Sequence, residues 1–112
     1  MAALDHVGEE QFVGYHYSDP SSRRSIEQHG LLPRHPSGRS LAEADGYPAG
    51  VYMFHRKEAA LDLEEGDVWE VKAPWSKVLP DPFHDRPGVA SYSPHPIPPS
   101  NLRLVHAYTE RR

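Results

Sequence analysis

Eight histidines and no cysteine set the side-chain chemistry open to this chain. Without thiols there are no disulfides, thiolate metal sites, iron–sulfur clusters or cysteine nucleophiles. The histidine spacings do not read as a metal site: neither His-x-x-x-His nor His-Glu-x-x-His occurs. His29 and His35 straddle a Gly-Pro loop, a poor geometry for shared ligation, so no metal is expected. Gly-x-Ser-x-Gly, Gly-x-Gly-x-x-Gly and the P-loop are also absent, so serine-hydrolase and phosphate-cradle signatures are missing. What remains is His16, near the end of the aromatic and β-branched run Gln11-Phe12-Val13-Gly14-Tyr15-His16-Tyr17 and two residues before Ser18. An imidazole there sits at a cleft rim and titrates near neutral pH, or else is a half-buried side chain satisfied by backbone. Tyr52, in the apolar run Gly50-Val51-Tyr52-Met53-Phe54, is either a binding surface or a core residue with its hydroxyl at the rim. Ser18 fits a hydroxyl position beside His16 and equally a helix cap or turn. Arg23, Arg24, Arg34, His35 and Arg39 form the one basic concentration, suited to phosphates or simply a solvated face.

The elements that must position these residues can be read from period and punctuation. Residues 11–17 predict a strand. Ser18-Asp19-Pro20-Ser21-Ser22 predicts a capped helix start, with a short helix over 22–29 stopped by Gly30 and Pro33. Residues 33–49 predict a long irregular loop with a helical turn near residues 41–44. Residues 50–54 predict a buried strand, and 55–63 a second helix closed by Gly66. Asp67-Val68-Trp69-Glu70-Val71-Lys72-Ala73 alternates with period two and predicts a strand ended by Pro74. Trp69 and Trp75 are expected as core anchors. A Pro-punctuated connection over 75–82, strands near 89–93 and 101–107, and an extended path through Pro94, Pro96, Pro98 and Pro99 complete the chain. The expected class is α+β: five or six short strands, two short helices and long loops.

The chain has 112 residues, which bounds it to a single domain over 1–112, with 1–10 read as a loose leader. Twelve prolines and eight glycines exclude a helical bundle. A net charge of −4 argues against a nucleic-acid binder that works through bulk positive charge. No segment approaches the roughly 20 apolar residues of a membrane span, and residues 1–6 lack a signal peptide's basic start. The expectation is a cytoplasmic protein with no membrane partner.

Three pieces taken together resemble the ADP-ribosyltransferase-fold superfamily. They are Tyr15-His16-Tyr17-Ser18-Asp19-Pro20 with the later Ile26 and His29-Gly30-Leu31-Leu32-Pro33, then Gly50-Val51-Tyr52-Met53-Phe54, then Ser91-Tyr92-Ser93 with Ile97-Pro98-Pro99-Ser100-Asn101-Leu102. The resemblance implies an ADP-ribosyltransferase-like split β-sheet with an NAD-binding cleft between its halves. It implies that His16 bonds the nicotinamide ribose, that Tyr52 stacks on the nicotinamide ring and that Ser18 assists. Tyr15, Tyr17 and Arg34 complete the implied NAD-binding set, and Ser93 stands at the third catalytic position. The implied reaction cleaves the nicotinamide–ribose bond and passes ADP-ribose to an unknown acceptor: a protein, a nucleic acid, a small molecule or water. The chain departs from the family at that third position, where Ala90-Ser91-Tyr92-Ser93 holds no acid. Two alternatives follow. One is a non-catalytic module binding NAD, ADP-ribose or a protein. The other, from the Ile97-Pro98-Pro99 likeness to the tRNA 2′-phosphotransferase branch, is an RNA 2′-phosphotransferase-like activity.

Overall fold

The computed structural model describes residues 11–34, 48–80 and 90–109. Within them lies one antiparallel sheet of six strands: β1 (Gln11–Ser18), β2 (Val51–Phe54), β3 (Asp67–Pro74), β4 (Leu79–Pro80), β5 (Ala90–Ser93) and β6 (Leu102–His106). Their order is β4-β5-β2-β1-β3-β6. Two short helices, α1 (Arg23–His29) and α2 (Lys57–Leu61), accompany it. The α+β class expected from the sequence is the observed one. No helix among the described residues is long and apolar enough to cross a membrane.

The sheet is strongly zipped on one side of β1 and barely joined on the other. β1 and β3 pair along their whole length, from Gln11 opposite Pro74 to Ser18 opposite Asp67. β1 and β2 share a single paired position, Tyr15 opposite Phe54. Beyond it, at His16, Tyr17 and Ser18, β1 and β2 form no ladder. This is where a site can open between the β3-β1-β6 side and the β2-β5-β4 side.

Side chains alternate across strands, so register assigns the faces. Phe12, Gly14, His16 and Ser18 share one face with their partners Ala73, Val71, Trp69 and Asp67. Val51 and Met53 share it with Ser93 and Ser91. The main core covers this face: Phe12, Val51, Met53, Trp69, Val71 and Ala73 pack under Ile26 of α1 and under Leu31 and Ile97. Buried Ala60 of α2 and Val68 fall outside that cluster, and Val68 faces the other way, opposite Tyr17.

Leu31 and Ile97 exchange two backbone hydrogen bonds, 2.9 and 2.8 Å long. The proline-rich segment therefore crosses the core face from β5 to β6, passing three intervening strands. Spacing strands by about 4.8 Å makes that roughly 19 Å, which residues 94–101 span because most of them are not helical, whereas a helix of that length would rise only about 12 Å. Gly30 makes the crossing fit. It ends α1 with φ 77°, and a Cβ on it would run into the Ile97 carbonyl oxygen. Gly30→Ala is expected to destabilise the fold by roughly 2 kcal/mol, from left-handed strain plus the displaced crossing. A denaturant titration checks this, and an unchanged midpoint would refute the fit.

Several local expectations are corrected. Asp19, not Ser18, caps the turn after β1: its side chain accepts from the Ser21 N–H and a 3-10 turn (Pro20–Ser22) leads into α1. Gly66 does not close the second helix, which ends at Leu61 with Asp62 as its cap; a left-handed backbone follows before Gly66 is reached. That conformation falls on Glu64 and Glu65, with φ 59° and 58°, while Gly66 has no room for a side chain because a Cβ there would run into the Tyr17 ring. Trp69 is buried, but Trp75 is 49% exposed and starts a 3-10 turn (Trp75–Lys77) that β4 follows. The proline path also contains a 3-10 turn, Pro99–Asn101. The leader 1–10, the helical turn near 41–44 and most of the 33–49 loop lie outside the described residues.

Candidate functional site

His16 sits at the parting of β1 and β2, half-buried, with Trp69 directly opposite on β3. Its Nδ1 is 2.8 Å from the Tyr52 carbonyl oxygen. A carbonyl only accepts, so Nδ1 carries the proton and Nε2 presents a lone pair. Among the described residues Nε2 has no hydrogen-bond partner, and no buried side-chain nitrogen or oxygen is left unsatisfied, so Nε2 opens onto accessible space. Burial lowers the His16 pKa below its ordinary value, against the opposing pull of the Tyr52 carbonyl bond. The ring is therefore neutral at pH 7, and Nε2 is a preset acceptor for a hydroxyl.

Tyr52 contributes its main chain to His16 rather than its ring. By strand alternation its side chain lies on the opposite face, stacked on Tyr92 across β5 with centroids 5.1 Å apart and planes 20° apart. Its hydroxyl donates to the Pro48 carbonyl at 2.5 Å. The ring is thus fixed as a flat surface on the β2–β5 side, with one face covered by Tyr92. Tyr15 and Tyr17 share that opposite face; Tyr15 pairs with Phe54 and Glu70, and the Tyr17 hydroxyl donates to the Glu64 carbonyl at 2.5 Å.

Ser18 is buried and its Oγ accepts the Trp69 indole N–H at 3.0 Å, which ties the end of β1 to β3. Ser93 is fully buried, donating to the His95 carbonyl at 2.9 Å and accepting the His95 N–H at 3.0 Å. Both hydroxyls are occupied inside the fold. Arg34 bridges Gly50 through two 3.0 Å backbone bonds, so its chain is held beside the start of β2 while its side chain is exposed. Arg24 is exposed too, and His35 and Arg39 lie outside the described residues.

Sequence reasoning missed two polar centres. Asp67 is fully buried at the start of β3, and Arg23 Nε and a terminal guanidinium nitrogen donate to its two oxygens at 2.7 and 2.8 Å. The Tyr108 N–H adds a third bond at 2.8 Å, and Arg23 also donates to the Tyr108 carbonyl at 3.0 Å. The Arg23 hydrogen bonds hold the Asp67 carboxyl below the usual carboxylate range, against its desolvation. Period two was the available signal, because Asp67 shares the inward parity of Trp69, Val71 and Ala73. The second centre is His55, whose Nε2 lies 2.6 Å from Ser91 Oγ.

The carboxylates of β3 are committed: Asp67 to Arg23, and Glu70 to Arg103, through two 3.2 Å bonds. β5 supplies hydroxyls and no acid. Among the described residues no group of three or more His, Asp or Glu gathers as a metal site. A groove on the far side of β3 is lined by Gln11, Glu70, Lys72, Asn101 and Arg103, and its charged pair is self-neutralising. No family model, curated protein or solved structure matches this chain.

Proposed function

We propose that this chain binds NAD at the opening between β1 and β2 and uses it as an ADP-ribosyl donor. The observation that carries the reading is His16: a neutral imidazole, locked in one tautomer by the Tyr52 carbonyl, with an acceptor nitrogen that has no partner among the described residues, at the loosely paired β1–β2 junction. A ribose offers hydroxyl donors to such a nitrogen. The reaction breaks the bond from the anomeric carbon to nicotinamide, which leaves neutral with the electron pair. The developing charge on the sugar demands positioning more than covalent assistance. His16 supplies the positioning, and the Tyr52–Tyr92 stack stiffens the β2–β5 side of the opening. The acceptor is a protein, a nucleic acid, a small molecule or water.

A second reading has its own support. With Asp67 and Glu70 paired to arginines and only hydroxyls on β5, no free carboxylate faces the opening from those strands. That favours a module that holds NAD or ADP-ribose without turnover. One sample separates the two: titrate NAD calorimetrically and assay nicotinamide release from the same protein. Binding with release supports the transferase, binding without release supports the module, and no binding removes both.

A further inference from the structure

Ser91 and His55 form a hydroxyl–imidazole pair that the NAD reading does not use. Ser91 is in the middle of β5 opposite Met53, and His55 follows the end of β2. Ser91 is 4% exposed, and His55 is its one hydrogen-bond partner among the described residues. A buried hydroxyl needs an acceptor for its proton. The Oγ–H therefore donates to His55 Nε2, and His55 carries its own proton on Nδ1, which has no protein partner among the described residues. The ring is held by the edges of two others: Phe12 at 5.2 Å and 71°, and Trp75 at 6.3 Å and 80°. Burial lowers the His55 pKa, so the ring is unprotonated at Nε2 at neutral pH. Nucleophile, base and a fixed orientation of the base are the three elements that activate a serine. Trp75, whose ring edge meets the His55 ring, is itself 49% exposed, so the His55 flank of the pair borders solvent.

We propose that Ser91 is an activated nucleophile, with His55 as its base on the flank beside Trp75, and that it takes the acyl group of small activated esters. The hydroxyl proton passes to His55 Nε2 as Oγ bonds the carbonyl carbon. The ester's alcohol leaves with that proton. Water then hydrolyses the acyl-serine, releasing the acid and restoring the hydroxyl. The close cover over Ser91 restricts the substrate to short acyl groups.

The test uses the whole chain with a small alkyl fluorophosphonate, which Oγ attacks at phosphorus with loss of fluoride, followed by peptide mapping. One adduct on Ser91 is expected, forming at least a hundred-fold faster than in His55→Gln and absent in Ser91→Ala. The wild-type rate should decline as pH falls through the depressed His55 value. Acetate release from p-nitrophenyl acetate should follow the same profile. No adduct, an adduct on another residue, or an equal rate in His55→Gln overturns the proposal. Mapping and the pH profile come from the wild-type chain, so they decide the matter even where a variant fails to fold.

Discussion

Arg23→Ala is expected to be among the most damaging single substitutions in this fold. It strands the Asp67 carboxylate, which has no exposed surface, with one remaining donor among the described residues, the Tyr108 N–H. Leaving a buried charge uncompensated in this way costs about 3 kcal/mol. A domain of this size loses about 4–8 °C for each kcal/mol, so the thermal midpoint should fall by roughly 12–24 °C. The loss is also architectural, because the same guanidinium ties the start of α1 to the chain after β6 through Tyr108. The pH dependence identifies the cause. Arg23 depresses the Asp67 pKa in the folded state, so the stability it brings is present above the ordinary carboxylate value near 4 and is lost as pH falls through the depressed one. Wild type and variant should therefore differ most at neutral pH and converge in acid, where Asp67 is protonated in both. Thermal melts from pH 2 to 7 measure this. A constant gap across that range would mean that Arg23 acts through packing alone.

The contrast between Asp67 and His16 shows what a linear sequence can convey. Strand periods are local, and the alternation through Asp67, Trp69, Val71 and Ala73 marks β3 and its buried face without knowledge of any partner. A carboxylate in that phase is a buried charge, and a buried charge needs a cation; the phase was visible, but Arg23, 44 residues away, was not. His16 was legible as a strand-end imidazole. Its tautomer was not, since Nδ1 is fixed by a carbonyl 36 residues on. Ser18 read as a cap or a site hydroxyl because small oxygen side chains serve both uses locally; the Trp69 indole that occupies it arrives through β-pairing. His55 read as the first residue of a helix, and only the antiparallel return of β5 sets Ser91 against it. Trp75 was expected in the core from its type. Its place after Pro74, at the end of a strand, leaves it half in solvent.

His16→Ala should lower NAD affinity at least ten-fold and nicotinamide release by roughly a hundred-fold, because it removes the preset imidazole acceptor at the β1–β2 opening. The chemistry of that acceptor makes a sharper demand. Nε2 accepts a ribose hydroxyl only while it is unprotonated, and burial holds the folded pKa below 6.5. NAD affinity should then be flat from pH 8 to about 6.5 and fall as pH drops through the folded value. Fold stability should follow a related course. The unfolded chain protonates this histidine first, so stability declines from about pH 6.5 down to the folded pKa and levels off below it. His55 adds a slope of the same sign, since its pKa is also lowered by burial. His16→Gln separates the two contributions. Its amide keeps an oxygen acceptor that does not titrate, so residual NAD binding should lose its acid limb while the stability curve keeps the His55 share. An acid limb that persists in His16→Gln would assign the titration to another group and leave His16 as a structural link between β1 and the Tyr52 carbonyl.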